Sequence, residues 1–153
     1  MSILARLAEL GITLPNPMPP VATYVPVSLA GDLAIVSGQL PAVDGKVAVT
    51  GKLGAGVSLE EGQHAARLCL INVLAQLNAA LPGGLASVKK VVRLGGFIAA
   101  TPDFIQHAVV MNGASDLAVA VFGEAGRHAR STIGVPSLPL DAAVEVEGMF
   151  LLG

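Results

Sequence analysis

The strongest constraint on the fold is a long amphipathic pattern that begins at Ser58 and stops at residues 82–84, Pro-Gly-Gly. Ser58 and Glu61 have the spacing of a capping box, in which each side chain accepts a hydrogen bond from the other residue's backbone N–H. The apolar residues beyond them share one helical face: Ala66, Leu70, Val73, Leu74, Leu77 and Leu81. Such a helix must bury that face against another layer of structure.

Strand patterns on both sides of this helix supply that layer. We expect strands at residues 23–29, 33–38, 43–52, 88–100, 131–135 and 143–147. Within residues 43–52, the pair Asp44-Gly45 predicts a hairpin turn. A second helix has its core at residues 115–121, with its start placed near Asn112.

The order of these elements predicts an α+β protein. A mixed sheet of about six strands carries two helices on one face. A short amphipathic helix at residues 2–10 precedes them, and four prolines make residues 12–21 an extended tether. We find no internal repeat, so residues 1–153 are expected to form one domain, in which residues 1–19 hold the N-terminal helix and the proline-rich tether.

Charged residues are too few to cover a domain of this size. They make up 13% of the chain, whereas apolar residues make up 53%. We therefore expect apolar surface to be buried between copies in a homo-oligomer. A membrane is not expected, because prolines, asparagines and glutamines interrupt the two uncharged stretches, residues 10–31 and 68–88. The single cysteine, Cys69, and the absence of a secretory pattern at the N-terminus predict a soluble cytoplasmic protein.

The charge and the placement of the histidines and the cysteine disfavour several classes of function. The net charge is −2 and the only adjacent basic pair is Lys89-Lys90, so nucleic acid is not an expected partner. The histidines, His64, His107 and His128, are scattered, so no metal site is expected. Cys69 lies within the helical pattern, which favours a core position over a nucleophile.

The stretch from residue 128 to residue 150 holds the main candidates for chemistry. Arg130 opens one strand pattern, and Glu145 and Glu147 share one face of the next. The two strands read as a hairpin, in which Arg130 pairs with either glutamate. Alternatively, Arg130 holds a substrate carboxylate while a glutamate acts as a general base. The usual exposure of arginines favours the ion-paired hairpin.

Three further polar residues each have two interpretations. Tyr24, the only tyrosine, is either a pocket wall or a packing residue. Ser37 is either a hydroxyl donor or the end of a strand, and Asn112 either binds a ligand or caps the following helix. For Ser37 and Asn112 the residues alone favour the structural interpretation.

Taken together, these residues resemble the YjgF/Rid family of reactive-intermediate deaminases, also called L-PSP endoribonuclease-like. The resemblance covers about residues 20–152 and is carried by Tyr24, by DLAIVSGQLP at residues 32–41 and by ARSTIGVPSLPLDAAVEVE at residues 129–147. The short front helix and the segments NGASDL and FGEAGRHARS are most similar to a YjgF/chorismate-mutase-like branch.

This resemblance implies a chorismate-mutase-like fold, a homotrimer and sites in clefts between subunits. Its deaminase members are hydrolases that convert 2-imino acids, such as 2-iminopropanoate and 2-iminobutanoate, to 2-oxo acids and ammonia without a cofactor. Arg130 matches the arginine that binds the substrate carboxylate, and Glu145 matches the glutamate that orients the attacking water. Tyr24, Ser37 and Asn112 match pocket positions.

The same resemblance leaves alternatives open. Thr132 stands where many deaminase members have a cysteine, so chemistry that needs a thiol is not expected. A non-catalytic module that binds a small carboxylate-bearing metabolite on the same trimer is one alternative. An endoribonuclease acting as a translation inhibitor follows only from the family's name, and the acidic charge balance opposes it.

Overall fold

In a computed structural model of the chain, the described residues are 1–17, 19–20 and 22–153. Met18 and Val21, which fall in the expected tether, lie outside them. The helices are α1 (Ile3–Glu9), α2 (Leu59–Ala80) and α3 (His107–Phe122). The strands are β1 (Val27–Ala30), β2 (Leu33–Gln39), β3 (Ala42–Val43), β4 (Lys46–Val47), β5 (Lys52–Leu53), β6 (Gly56–Val57), β7 (Val88–Ala99), β8 (Ala129–Val135) and β9 (Val144–Leu152). Short 3-10 turns occupy Gly84–Ser87, Gly123–Gly126 and Pro139–Asp141.

A five-stranded mixed sheet with the order β1-β2-β9-β7-β8 forms the centre of the fold. Helices α2 and α3 contact each other and cover one face of this sheet. The predicted α+β arrangement is therefore confirmed, with five strands in the main sheet. The remaining strands form two small pairs, and one of them is the predicted hairpin, in which Asp44 and Gly45 both have positive φ angles of 52° and 79°.

Strands β8 and β9 do not form a hairpin, so that prediction is wrong. Strand β7 lies between them and pairs in parallel with β8 and antiparallel with β9. Phe97 thus faces Ile133 on one side and Glu145 on the other. The cause is α3, which joins β7 to β8 as a crossover between parallel strands and leaves the opposite edge of β7 for β9.

Several element boundaries differ from the sequence prediction. The first strand begins at Val27, because Pro26 has no N–H for the ladder. Helix α3 begins at His107, before the expected start near Asn112, and its N-cap residue, Gln106, makes no side-chain cap hydrogen bond. No capping residue therefore marks this start in the sequence. Strand β9 continues to Leu152, well past residue 147.

The N-terminal helix is attached to α3. Ser2 caps α1 as its side chain accepts a hydrogen bond from the Ala5 N–H at 3.1 Å. Leu7 is buried, and Arg6 Nε donates to the Ala120 carbonyl oxygen at 2.8 Å. The helix therefore extends the core on the α3 side.

One helical segment, His107–Gly126, is long and apolar enough to cross a membrane by length and composition alone. Six residues of α3 are buried against the rest of the chain: Val110, Met111, Ala114, Leu117, Ala118 and Val121. A core helix passes the same test of composition, and α3 has the packing of one.

Close contact between α2 and α3 depends on Gly113. A β-carbon at this position would collide with the backbone carbonyl of Gln63 in α2. Gly62 is also buried between elements, but a β-carbon there would meet only side-chain methyl groups, those of Leu53 and Val110, at 3.0 to 3.3 Å. The first obstacle is rigid backbone, whereas the second is a set of side chains that can rotate.

We expect Gly113→Ala to lower the free energy of unfolding by about 2 kcal/mol or more, because the two helices must move apart. The matched variant Gly62→Ala should change it by less than about 1 kcal/mol, since the gain in helix propensity offsets the crowding. Denaturant unfolding at one protein concentration measures both. Equal losses of unfolding free energy in the two variants would contradict the claim that Gly113 is needed for the close approach of α2 and α3.

Candidate anion-binding site

Arg130 lies on the face of the sheet that the helices cover. It pairs with Leu94, a buried residue, and its side chain runs along α3. Its guanidinium donates from Nη1 to Asn112 Oδ1 at 2.8 Å and to Ser115 Oγ at 3.1 Å, and from Nη2 to the Ala108 carbonyl at 3.3 Å. Ala108, Asn112 and Ser115 are spaced i, i+4 and i+7, so one stripe of α3 holds the guanidinium.

Arg130 is half-buried and has no carboxylate partner among the described residues. The ion pairs there are Arg6–Glu9, Arg93–Glu147 and Arg127–Glu124. The expected pair between Arg130 and Glu145 or Glu147 is therefore not formed, because the glutamates lie on the other face of the sheet. A charge that is partly removed from water without a counter-ion favours an anionic ligand.

The hydrogen bonds leave part of the guanidinium without a protein acceptor. The protein uses both N–H groups of Nη1 and one of Nη2, so the N–H of Nε and the second N–H of Nη2 have none among the described residues. Two donors are sufficient for one planar carboxylate.

Thr132 follows Arg130 on the same face of β8. Its hydroxyl oxygen is buried and has no hydrogen-bond partner among the described residues. A buried hydroxyl without a partner costs about 1–3 kcal/mol. The hydroxyl is therefore a further polar group that a ligand next to Arg130 can satisfy.

Glu145 projects from the opposite, open face of the sheet. It is half-buried, and a side chain at Gly38 would meet its carboxyl group at 2.9 Å. Burial raises the pKa of Glu145, and the nearby charge of Glu147 raises it further. A carboxylate with a raised pKa takes up a proton more readily near neutral pH.

One chain does not bring Arg130 and Glu145 together. Across the sheet, β9 lies two strands from β8, which is about 10 Å. Along the strands, Glu145 is level with Ile133, which lies three residues, or about 10 Å, beyond Arg130. The two side chains also point to opposite faces. The chain therefore carries two half-sites: the guanidinium half-site, Arg130, Asn112, Ser115 and Thr132, and the carboxylate half-site around Glu145.

Ser37 and Tyr24 lie near the carboxylate half-site. The Ser37 hydroxyl donates to the Val25 carbonyl at 2.7 Å, and Ser37 precedes Gly38, which approaches Glu145. Tyr24 is 50% exposed. A cavity of about 130 Å³ is lined by Tyr24, Gly38, Gln39, Asn72, Leu140 and prolines of the tether. The chain thus groups Asn112 and Thr132 with Arg130, whereas Tyr24 and Ser37 are linked to Glu145 through Gly38, which lines the cavity and approaches the carboxyl group.

Sequence reasoning missed Ser115 and the Ala108 carbonyl. Their signal is the helical spacing to Asn112, which becomes visible only when α3 starts at His107.

Cys69 is buried, as predicted, and its thiol lies 3.4 Å from the Val144 carbonyl oxygen. Burial raises the pKa of this thiol, and the charge of Glu145 raises it further. The described residues include no group of three or more His, Cys, Asp or Glu side chains placed to hold a metal ion.

The open face of the sheet also carries exposed apolar side chains. Ile35 is 40% exposed and Ile133 is 53% exposed, and Phe97 and Met149 lie between them on the same face. Both long helices pack on the other face, so no helix of the described chain covers this surface.

We expect Glu145→Gln to stabilise the protein at neutral pH. A raised pKa means that the folded state binds the proton more tightly than the unfolded chain, so the ionised carboxyl lowers stability above that pKa. The gain should shrink as the pH falls through the raised pKa, where the wild-type carboxyl becomes protonated. Glu147→Gln is the comparison. It should weaken the pH dependence of the unfolding free energy without abolishing it, because it removes the charge of Glu147 but leaves the Glu145 carboxyl buried.

Unfolding curves at several pH values and a fixed protein concentration measure these differences. A stability gain that does not depend on pH would contradict the electrostatic explanation.

Similar proteins were found by sequence and by structure. The family model described as "YjgF/chorismate_mutase-like, putative endoribonuclease" matches residues 4–150. Protein TCP17 of Trypanosoma cruzi is 47% identical over 148 residues, which cover 96% of this chain and 92% of that protein. The structure of Atu1372, a protein with unknown function from Agrobacterium tumefaciens, has a TM-score of 0.92 at 47% identity, over 99% of this chain and 92% of the other.

Two further structures extend this set. A "putative endoribonuclease" from Shewanella oneidensis MR-1 has a TM-score of 0.95 at 36% identity, over 99% of this chain and all 100% of the other. TdcF of E. coli, solved with bound serine, shares the fold with a TM-score of 0.67 at 23% identity, over 90% and 94% of the two chains. The family model spans nearly the whole chain, and the chain belongs to the YjgF/chorismate-mutase-like family.

Proposed function

We propose that this protein is a cofactor-free hydrolase of 2-imino acids, in which two copies of the chain build each site. The observation that carries the proposal is the half-buried guanidinium of Arg130, which has three hydrogen bonds to α3 and no carboxylate partner among the described residues. A small carboxylate is the ligand that best matches its two remaining donors.

The carboxylate of a 2-imino acid is attached directly to the reacting carbon. Arg130 binds that carboxylate, and the Thr132 hydroxyl supplies a hydrogen-bonding group next to it. The imine carbon is then held close to the Arg130 guanidinium, so positioning of the substrate accounts for much of the rate enhancement. The bound serine in TdcF, which also bears a carboxylate, agrees with this ligand class at the level of the fold.

Glu145 serves as the base for the attacking water. The water oxygen bonds to the carbon of the N-protonated imine, the π electron pair of the C=N bond moves to the nitrogen, and Glu145 takes one proton from the water. The protonated Glu145 then returns the proton to the nitrogen of the tetrahedral intermediate. The C–N bond breaks, its electron pair leaves with ammonia, and the remaining hydroxyl loses its proton to solvent as the C=O bond forms. The raised pKa of Glu145 suits a group that accepts and returns a proton.

A homotrimer supplies the missing half of each site. In this arrangement the open sheet faces, with Ile35 and Ile133, are buried between subunits. The guanidinium half-site of one subunit then faces the carboxylate half-site of its neighbour. The separation of the half-sites within one chain supports this assembly.

An endoribonuclease activity has less support. The net charge is −2, and Lys89-Lys90, the only adjacent basic pair in the sequence, lies at the start of β7, before the pairing with β8 begins at Arg93. RNA binding without a basic surface would lack the main electrostatic contribution to affinity. A binding module without turnover uses the same guanidinium half-site and is separated from the enzyme by the assay below.

We expect Arg130→Ala to lower the rate of 2-oxo acid formation from enzymatically generated 2-iminopropanoate by about 100-fold or more, because the carboxylate loses its clamp. Arg130→Lys should recover little, since an ammonium group does not reproduce the planar donors. Arg127→Ala, which removes an exposed arginine paired with Glu124, is the matched control and should act as wild type.

Rates are compared with spontaneous imine hydrolysis in the same mixture. Wild-type protein that binds pyruvate but gives no rate above this background is a binding module. Equal rates for wild type and Arg130→Ala exclude the proposed site.

A mixing experiment tests whether two chains share each site. Arg130→Ala and Glu145→Gln chains are each expected to be nearly inactive. When they are co-expressed, random assembly gives about a quarter of the sites an intact Arg130 from one chain and an intact Glu145 from another. Activity should therefore rise to about a quarter of the wild-type value, whereas a site within one chain would give no recovery.

A further inference from the structure

A chain of hydrogen bonds continues from Arg130 to the far side of the guanidinium half-site. Arg130 Nη1 donates to Ser115 Oγ at 3.1 Å, and Ser115 Oγ lies 2.8 Å from His128 Nε2. His128 Nδ1 lies 2.6 Å from the carbonyl oxygen of Gly126, a buried residue in the turn between α3 and β8. Helix, turn and strand therefore meet at one polar cluster.

The chemistry of these groups fixes the direction of each bond. The Gly126 carbonyl can only accept, so His128 Nδ1 carries a proton. In the neutral imidazole, Nε2 is then the acceptor, and the Ser115 hydroxyl donates to it. A lone pair of Ser115 Oγ is left facing Arg130 Nη1, where an acceptor is required.

His128 determines which way the Ser115 hydroxyl points. A serine inside a helix ordinarily donates to a carbonyl of the preceding turn. A hydroxyl that donates to such a carbonyl no longer donates to His128. By accepting the hydroxyl proton, His128 keeps Ser115 turned towards the guanidinium. Without Ser115, Asn112 and the Ala108 carbonyl would each hold one N–H, and the guanidinium could still tilt about the line through these two bonds.

We infer that Ser115 and His128 are positioning residues, which hold the guanidinium plane of Arg130 so that its two remaining donors face the substrate carboxylate. Neither residue reaches the ligand in this scheme. The inference rests on the proposed role of Arg130 as a carboxylate clamp, and it assigns roles to two side chains that the proposed reaction does not otherwise use.

The test combines binding of pyruvate, the 2-oxo acid product, with steady-state kinetics on 2-iminopropanoate for the assembled protein. Ser115→Ala and His128→Asn should each weaken pyruvate binding and raise KM by about tenfold, as expected for losing one hydrogen bond to a charged group. The value of kcat should change less than about threefold, because Glu145 is untouched. His128→Gln, which places an amide oxygen near the position of Nε2, should stay within about threefold of wild type.

The two hypotheses fail in different ways. Pyruvate binding that survives Arg130→Ala overturns the carboxylate clamp. Binding that Arg130→Ala abolishes, but that Ser115→Ala and His128→Asn leave within about twofold, overturns the positioning role. Nitrogen NMR of wild-type protein tests the role without variants: His128 must carry its proton on Nδ1 and leave Nε2 unprotonated. A proton on Nε2 overturns the inference even if every variant fails to fold.

Discussion

The placement of β7 between β8 and β9 is the constraint on which the arrangement of the candidate site depends. Because α3 returns the chain to one edge of β7, the other edge is left to the last strand. Arg130 and Glu145, only fifteen positions apart in the chain, are therefore separated by a strand and by the thickness of the sheet. A site that uses both residues needs a second chain, so topology and assembly are linked.

The local environment of each half-site matches a different task. On the helix-covered face, α3 holds the guanidinium of Arg130 through neutral acceptors, and no carboxylate of the described residues forms an ion pair with it. On the open face, Glu145 and Glu147 repel each other and Glu145 is half-buried. Both arrangements lower the stability of the isolated chain. Such features are typical of residues retained for function.

Much of the fold was predictable from local signals in the sequence. The capping box at Ser58 and the turn at Asp44-Gly45 each specify a geometry through their own backbone, and both are present. The start of α3 was not predictable, because Gln106 gives no capping signal. The supposed hairpin between β8 and β9 was also wrong, because strand order depends on contacts between distant segments.

The candidate site could be predicted only in part. The family resemblance implied one shared site for Tyr24, Ser37, Asn112, Arg130, Thr132 and Glu145, of which Arg130 and Asn112 are in contact in the structure. It could not show that Arg130 and Glu145 point to opposite faces, since that requires the order of strands in the sheet. Ser115 and His128 become visible only when α3 and β8 are placed side by side.

The buried hydroxyl of Thr132 has a consequence for how long the protein survives in a cell. An unsatisfied buried group weakens the empty state, and a ligand that bonds to it and to Arg130 stabilises only the folded state. Occupancy then reduces the fraction of chains that unfold and become open to proteolysis. The abundance of the protein would follow the supply of its own ligand, and melting temperature becomes a means of finding that ligand among small carboxylates.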